Sequence, residues 1–277
     1  MTVKIVTDSG SDLRAATAAE HRIEIVPLTV RFGDEEFTNL APSDFWSRCA
    51  KSAALPETAA PAPGAFEQAF RQAADAGADG VVCVVLSTKL SATGQSASAA
   101  AQAVAGQIPV RIVDSRSVSL GLGLVAVGAA EAAATGATLD EVTAVAEDLT
   151  SRTHLVAALD TLENLKKGGR IGGAKALLGS LLSIKPIIEV KDGAVEPGPK
   201  QRTRSRALQF LVDQVAAHPK LEKVAVLHAD APDVDAFVQR LSPYVDSDKV
   251  IIGDVGAVIG THSGPGAIGV VIQDAAS

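Results

Sequence analysis

One segment, Gly80–Leu86, carries no polar side chain and ends abruptly at Ser87-Thr88. Its β-branched residues favour a strand, and a strand apolar on both faces has to be covered on both. An antiparallel sheet with one wet face is therefore the wrong setting. The interior of a parallel sheet, sandwiched between helices, is the right one. The surrounding pattern agrees. Helical periodicity over Gly64–Gly77 precedes the run, and an alanine-rich helix over Ser91–Gly106 follows it. Val3–Thr7 and Val110–Val113 read as further short strands, and Ser11–Glu20, Ser117–Thr135 and Leu139–Thr150 as helices. Ile23–Phe32 alternates as one strand and turns back at Gly33-Asp34 through Glu35–Thr38. Ser43–Ser52 reads as a helix and the proline-rich stretch Ala53–Pro63 as a loop.

After Arg152 the texture changes. Strands are expected at His154–Leu159, Lys223–His228, Lys249–Gly253 and Ala267–Ile272, and a hairpin joins Pro186–Val190 to Ala194–Glu196 around Asp192-Gly193. Helices are expected over Thr161–Lys167, Ala174–Ser183, Thr203–His218 and Asp233–Leu241. Hairpins mixed with crossovers imply a mixed or antiparallel sheet. The fold class is thus α/β in two domains. Residues 1–152 form a parallel doubly wound sheet, and 153–277 an α+β domain with a mixed or antiparallel sheet.

The 277 residues are 47% apolar but only 3% aromatic, and the net charge is −7. Few aromatics leave little for base stacking, and the acidic balance opposes general nucleic-acid affinity. The two cysteines form no pair motif: Cys83 lies inside the apolar run and Cys49 in a helix. A reducing cytoplasm is the expected location. A strand beginning at Val3 leaves no room for a signal peptide, and the apolar stretch Leu120–Ala130 is too short to span a bilayer.

Chemistry gathers in Ser87–Thr93, Gly168–Gly173 and Thr261–Gly266. The first crowds hydroxyls at a strand end and helix start. The second frames Arg170 with glycine pairs. The third sets His262 in a glycine-proline loop between strands. Such donors suit one small anion, a carboxylate or a phosphate. Asp8 and Asp114, at other strand ends, read as helix caps. Lys200, Arg202, Arg204 and Arg206 form a basic run able to meet an acidic partner. No metal-ligand spacing, Walker loop or dinucleotide fingerprint is present, so neither metal nor cofactor is expected. A Ser91–His262 triad completed by Asp8 or Asp114 lacks the Gly-x-Ser-x-Gly elbow.

Six blocks in order resemble the DegV family of bacterial fatty-acid-binding proteins: Thr7-Asp8-Ser9 with Asp12-Leu13, Thr58–Pro61, Ser87–Thr93, Val113–Ser115 with Ser119, Gly168–Gly173 and His262–Gly266. The resemblance implies a non-enzymatic two-domain carrier with one long-chain fatty acid between the domains. Its implied binding set is Thr58, Ser91, Thr93, Arg170 and His262. It also implies a partner, an ATP-binding kinase subunit that phosphorylates the bound carboxylate, with Arg202 contributing to docking. Ala59 and Ala92 stand where the family pattern has serine and glycine, and Gly94 where tyrosine is common. The competing reading is an enzyme, a serine hydrolase or small-molecule phosphotransferase using the same cleft. No nucleic acid and no membrane insertion are expected.

Overall fold

The computed structural model describes residues 2–180, 184–246 and 249–276, with the backbone alone at 179 and 180. The chain forms two compact units, Met1–Thr29 with Thr58–Ser151, and Val30–Glu57 with Arg152–Ser277. The sequence reading placed residues 30–57 in the first domain; they cluster with the second unit instead.

In the first unit, β1 (Val3–Asp8), β2 (Glu24–Val26), β6 (Gly80–Val85) and β7 (Val110–Asp114) form a sheet in the order β2-β1-β6-β7. Every pairing in it is parallel. The apolar run is an interior strand, as its two dry faces demand, and all six residues of β6 are buried. Val81, Cys83 and Val85 pack with Phe66 and Phe70 of α3 (Pro63–Asp75) and Ala97 of α4 (Thr93–Ala103). The helix α5 (Leu120–Ala134) contacts β1 and β6, and Leu120–Ala130 is buried throughout. Gly128 lets α6 (Leu139–Arg152) approach: a Cβ there would lie 2.3 Å from Leu149 Cδ1.

The expected helix over Ser11–Glu20 is shorter. A 3-10 turn, Ser9–Ser11, comes first, Asp12 takes φ 50°, and α1 starts only at Ala15 and runs to Glu20. The alternating run Ile23–Phe32 is two strands, not one. Pro27, which has no N–H to give a ladder, separates β2 from β3 (Thr29–Phe32). β3 pairs with β4 (Glu35–Phe37) as the expected hairpin, and also with β5 (Glu57–Ala59) inside the expected proline loop.

The second unit holds a six-stranded mixed sheet. Its strands are β8 (Thr153–Ala158), β9 (Ile187–Lys191), β10 (Ala194–Pro197), β11 (Leu221–His228), β12 (Val250–Asp254) and β13 (Ile268–Asp274), in the order β10-β9-β8-β13-β11-β12. Only β11 and β12 pair in parallel. One face carries Val156, Val226, Val270 and Ile272 against Leu208, Leu211 and Val215 of α8 (Arg204–Ala216) and Phe237 of α9 (Val234–Leu241). The helix expected over 174–183 is a 3-10 helix, Gly172–Ser180; its last three expected residues lie outside the described ones. The excursion 30–57 carries α2 (Pro42–Lys51), whose Phe45 is fully buried. Phe45 and Trp46 lie against Gly260, where a Cβ would be 2.8 Å from Phe45 Cε1. Burial of Phe45, with half-buried Trp46 beside it, is the physical reason the excursion belongs to this unit.

Candidate functional site

In the first unit the ends of β1, β6 and β7 are knitted by side chains. Asp8 is fully buried and accepts the Gly10 N–H at 2.9 Å and the Leu86 N–H at 2.8 Å. It caps the 3-10 turn, as the sequence reading expected, and also ties β1 to the end of β6. Burial pushes its carboxyl up to about 7, against the pull of the two N–H donors. Burial, with the Asp8 charge, also raises the Cys83 thiol, which keeps it an inert core group. Asp114 accepts the Thr88 hydroxyl at 2.5 Å and the Arg116 N–H at 2.8 Å. Ser119 takes φ 52°, ψ −143°, a region that few residues other than glycine adopt. Two bonds hold it there: its N–H to Gly10 O at 2.6 Å, and its hydroxyl to Asp12 Oδ2 at 2.5 Å.

This frame presents Ser91 and Thr93. Their hydroxyl oxygens lie 2.9 Å apart, and Ser91 Oγ also accepts the Thr93 N–H at 3.3 Å. Either hydroxyl can donate to the other. Sharing one proton leaves the second to be offered to an incoming oxygen. The helix begins at Thr93 rather than Ser91, with Ala92 as its N-cap at φ −76° and ψ 4°. That backbone suits any L-residue, so alanine in place of the family's glycine imposes no strain here. Gly94 is required for a different reason: a Cβ there would meet Thr88 Cγ2 at 2.6 Å. Thr58 lies half-buried on β5. The hydrolase reading loses ground here. Ser91 pairs with another hydroxyl, and the carboxylates of Asp8 and Asp114 are already engaged by backbone N–H groups.

In the second unit Arg170 and His262 come together. Arg170 follows α7 (Glu163–Lys167), where Gly169 turns the chain at φ 70° and Arg170 N–H reaches back to Leu165 O at 2.9 Å. Its guanidinium donates to Gly168 O at 2.8 Å. His262 is not in a loop, as the sequence suggested, but in the last turn of a short helix, α10 (Ala257–Ser263); Gly264 and Gly266, with φ 72° and 74°, form the loop after it. The imidazole packs directly on Gly168, where a Cβ would lie 2.3 Å from Nδ1. Burial, then the Arg170 charge, push His262 down to about 4. It is therefore a neutral donor-acceptor beside a permanent cation, not a second cation. Asn164, which the sequence did not single out, positions the pair. It is buried, and its Nδ2 donates to Thr261 O at 3.0 Å, joining α7 to α10. An Asn in a short helix gives no local signal of that role.

The basic run divides. Arg202 and Arg206 are exposed, but Arg204 makes a two-pronged pair with Asp233, at 2.9 and 3.0 Å. It is a structural residue, so the expected row of alternate arginines is incomplete as a docking face. The tertiary fold also gathers a group that no local spacing announced: His154, His218 and Asp274, whose ligand atoms all lie within 4.8 Å of one another.

These perturbed groups predict opposite pH trends. His262, depressed in the fold, contributes stability present above about pH 6.5 and lost as pH falls through about 4. Asp8, raised in the fold, contributes stability present below about 3.8 and lost as pH rises through about 7. Each slope reaches at most about 1.4 kcal/mol per pH unit. An NMR titration should find the His262 ring neutral from pH 8 down to about 5. A midpoint near the ordinary histidine value would contradict the geometry.

Hydroxyls at the strand ends of a parallel unit, and an arginine beside a neutral histidine in a mixed-sheet unit, mark a two-unit α/β protein. The chain belongs to the DegV family: the model of that family, described as uncharacterised proteins, matches residues 2–275. A DegV domain-containing protein of Streptomyces coelicolor is 39% identical, with 98% of each chain covered. A DegV family protein from Thermus thermophilus, described by its fatty-acid binding, superposes with a TM-score of 0.92 at 33% identity, over 99% of this chain and 100% of that one. DegV of Bacillus subtilis, described as a fatty acid binding protein, gives 0.88 at 29% identity, over 99% and 100%. Among the described residues no helix is long and apolar enough to cross a membrane.

Proposed function

We propose that this protein is a cytosolic, non-enzymatic carrier that binds one long-chain fatty acid and presents its carboxylate to a separate ATP-dependent kinase subunit. The likeness to the Thermus thermophilus structure, at a TM-score of 0.92 and 33% identity, supports the fatty-acid part of this reading. The donor chemistry supports it. The Ser91–Thr93 hydroxyl pair and Thr58 in the first unit, and Arg170 with neutral His262 in the second, each offer donors that suit a carboxylate. Arg170 supplies charge and His262 an N–H without a second desolvated cation. An acyl chain contributes roughly 0.8 kcal/mol for each buried methylene, so the tail dominates affinity and the head group sets orientation. Exposed Arg202 is assigned to the kinase subunit, where a rim charge acts mainly on encounter and salt dependence.

Organic extraction and native mass spectrometry of the purified protein test the carrier reading. One fatty acid per chain is expected. Protein that stays empty after incubation with several fatty acids overturns the reading. For the partner, titration of loaded protein against the ATP-binding subunit should show affinity falling with salt. Arg202→Ala should bind that subunit more weakly and keep its lipid. Unchanged docking by Arg202→Ala removes the assignment of that residue while leaving the carrier reading intact.

A further inference from the structure

The geometry points to a divalent metal site of the zinc type in the second unit, formed by His154, His218 and Asp274. Three separate elements deliver these residues. His154 is on β8 and Asp274 ends β13, where Ile272 pairs antiparallel with His154. Two residues further along β13, Asp274 lies on the same sheet face as His154. That face is the one α8 covers, and the chain leaving α8 brings His218 over the same end of the sheet. Asp274 stands between the two imidazoles: Oδ1 is 2.8 Å from His218 Nδ1, and Oδ2 is 3.2 Å from His154 Nε2. The two rings are 5.2 Å apart, centroid to centroid.

Ligand atoms at zinc–nitrogen and zinc–oxygen bond lengths are about 3.3 Å apart around a tetrahedral ion. The two carboxylate–imidazole separations are already close to that edge, so small side-chain rotations open room for the ion. Two imidazoles and one carboxylate are a zinc-compatible donor set, and three protein ligands leave a fourth position for water. Access is open, since His154, His218 and Asp274 are 46%, 26% and 33% exposed. Arg152 lies beside the group. Its guanidinium donates to the main-chain carbonyl of Asp274 and pairs with Glu222 at 2.8 Å. Metal uptake displaces any proton shared between ring nitrogen and carboxylate, and so releases it. The bound ion would staple the start of β8, the end of β13 and the chain after α8.

The test uses the full chain, stripped with a chelator and titrated with zinc chloride. One zinc per chain is expected, with a dissociation constant of about 10 μM or tighter. Cobalt(II) in its place should give the intense visible bands of a four-coordinate ion. His154→Ala and Asp274→Asn should each weaken zinc binding by more than about 100-fold. His21→Ala, at a histidine in the first unit, should leave it unchanged. Zinc should also raise the melting temperature of the wild type and of His21→Ala, and not of the two ligand variants. The proposal fails if the wild type takes up no stoichiometric zinc, if its cobalt spectrum is that of the hydrated ion, or if uptake persists in both ligand variants. The wild-type spectrum decides the matter even where a variant folds poorly.

Discussion

Gly168→Ala should unseat His262 and destabilise the second unit by about 1–3 kcal/mol, the cost of overpacking a filled site. The new methyl would lie 2.3 Å from His262 Nδ1, 2.8 Å from Cε1 and 3.0 Å from Asn164 O. Either the imidazole rotates away or the turn after α7 shifts, and both separate His262 from Arg170. Gly169→Ala provides the contrast. It has nothing within 4 Å of a Cβ and suffers only from φ 70°. That conformation costs a β-carbon about 1–2 kcal/mol without touching the histidine. Chemical denaturation of both variants, with the His262 ring signal as a local probe, separates the two mechanisms. Gly168 itself has φ −74°, so backbone freedom is not at stake there, and a Gly168→Ala protein with an unmoved ring and no loss of stability would show that the turn accommodates a methyl beside His262.

Ser91→Ala should weaken fatty-acid binding by about 1–3 kcal/mol, roughly 5- to 150-fold, with folding largely spared. The hydroxyl is one of a pair 2.9 Å apart, so its removal takes away a donor and also leaves Thr93 Oγ1 without its neighbour. The structural share of the loss is smaller. Ser91 Oγ accepts the Thr93 N–H only at 3.3 Å, and backbone bonds such as Ser91 N–H to Ser87 O at 3.1 Å survive the change. Lipid retention after delipidation and reloading measures the first quantity, and thermal unfolding of empty protein the second. If stability falls while retention does not, Ser91 is a helix-start residue and no ligand donor.

The glycines around Arg170 show how far local reading reaches. Four of them imply unusual backbone freedom, and Gly169 and Gly172 do take positive φ, at 70° and 50°. Gly168 and Gly173 are glycines for another reason. Their missing side chains admit His262 and the Glu196 carboxylate, groups distant in sequence. A similar limit explains His262. The Gly-Pro-Gly loop after it is visible in the residues, but a helix as short as Ala257–Ser263 is held by what it packs on, here Phe45 and Trp46 of the excursion. Pro27 was a visible break within an alternating run. Alternation reports only that a strand has two unlike faces, and does not say which sheet each piece joins.

Much of the architecture follows from the residues alone. A strand dry on both faces forces the parallel, helix-covered sheet around Gly80–Val85, and an all-apolar helix over Leu120–Ala130 has to lie beneath others. The donor types follow as well, because hydroxyls, one arginine and one histidine are written in the chain. Their states come from the tertiary structure. Burial and the Arg170 charge make His262 neutral, the salt bridge to Asp233 removes Arg204 from the basic row, and residues 30–57 join the second unit through Phe45. The meeting of His154, His218 and Asp274 belongs to the same class. Periodicity is a property of neighbours along the chain, whereas charge state and convergence depend on side chains that only long-range strand pairing and helix packing bring within a few ångströms.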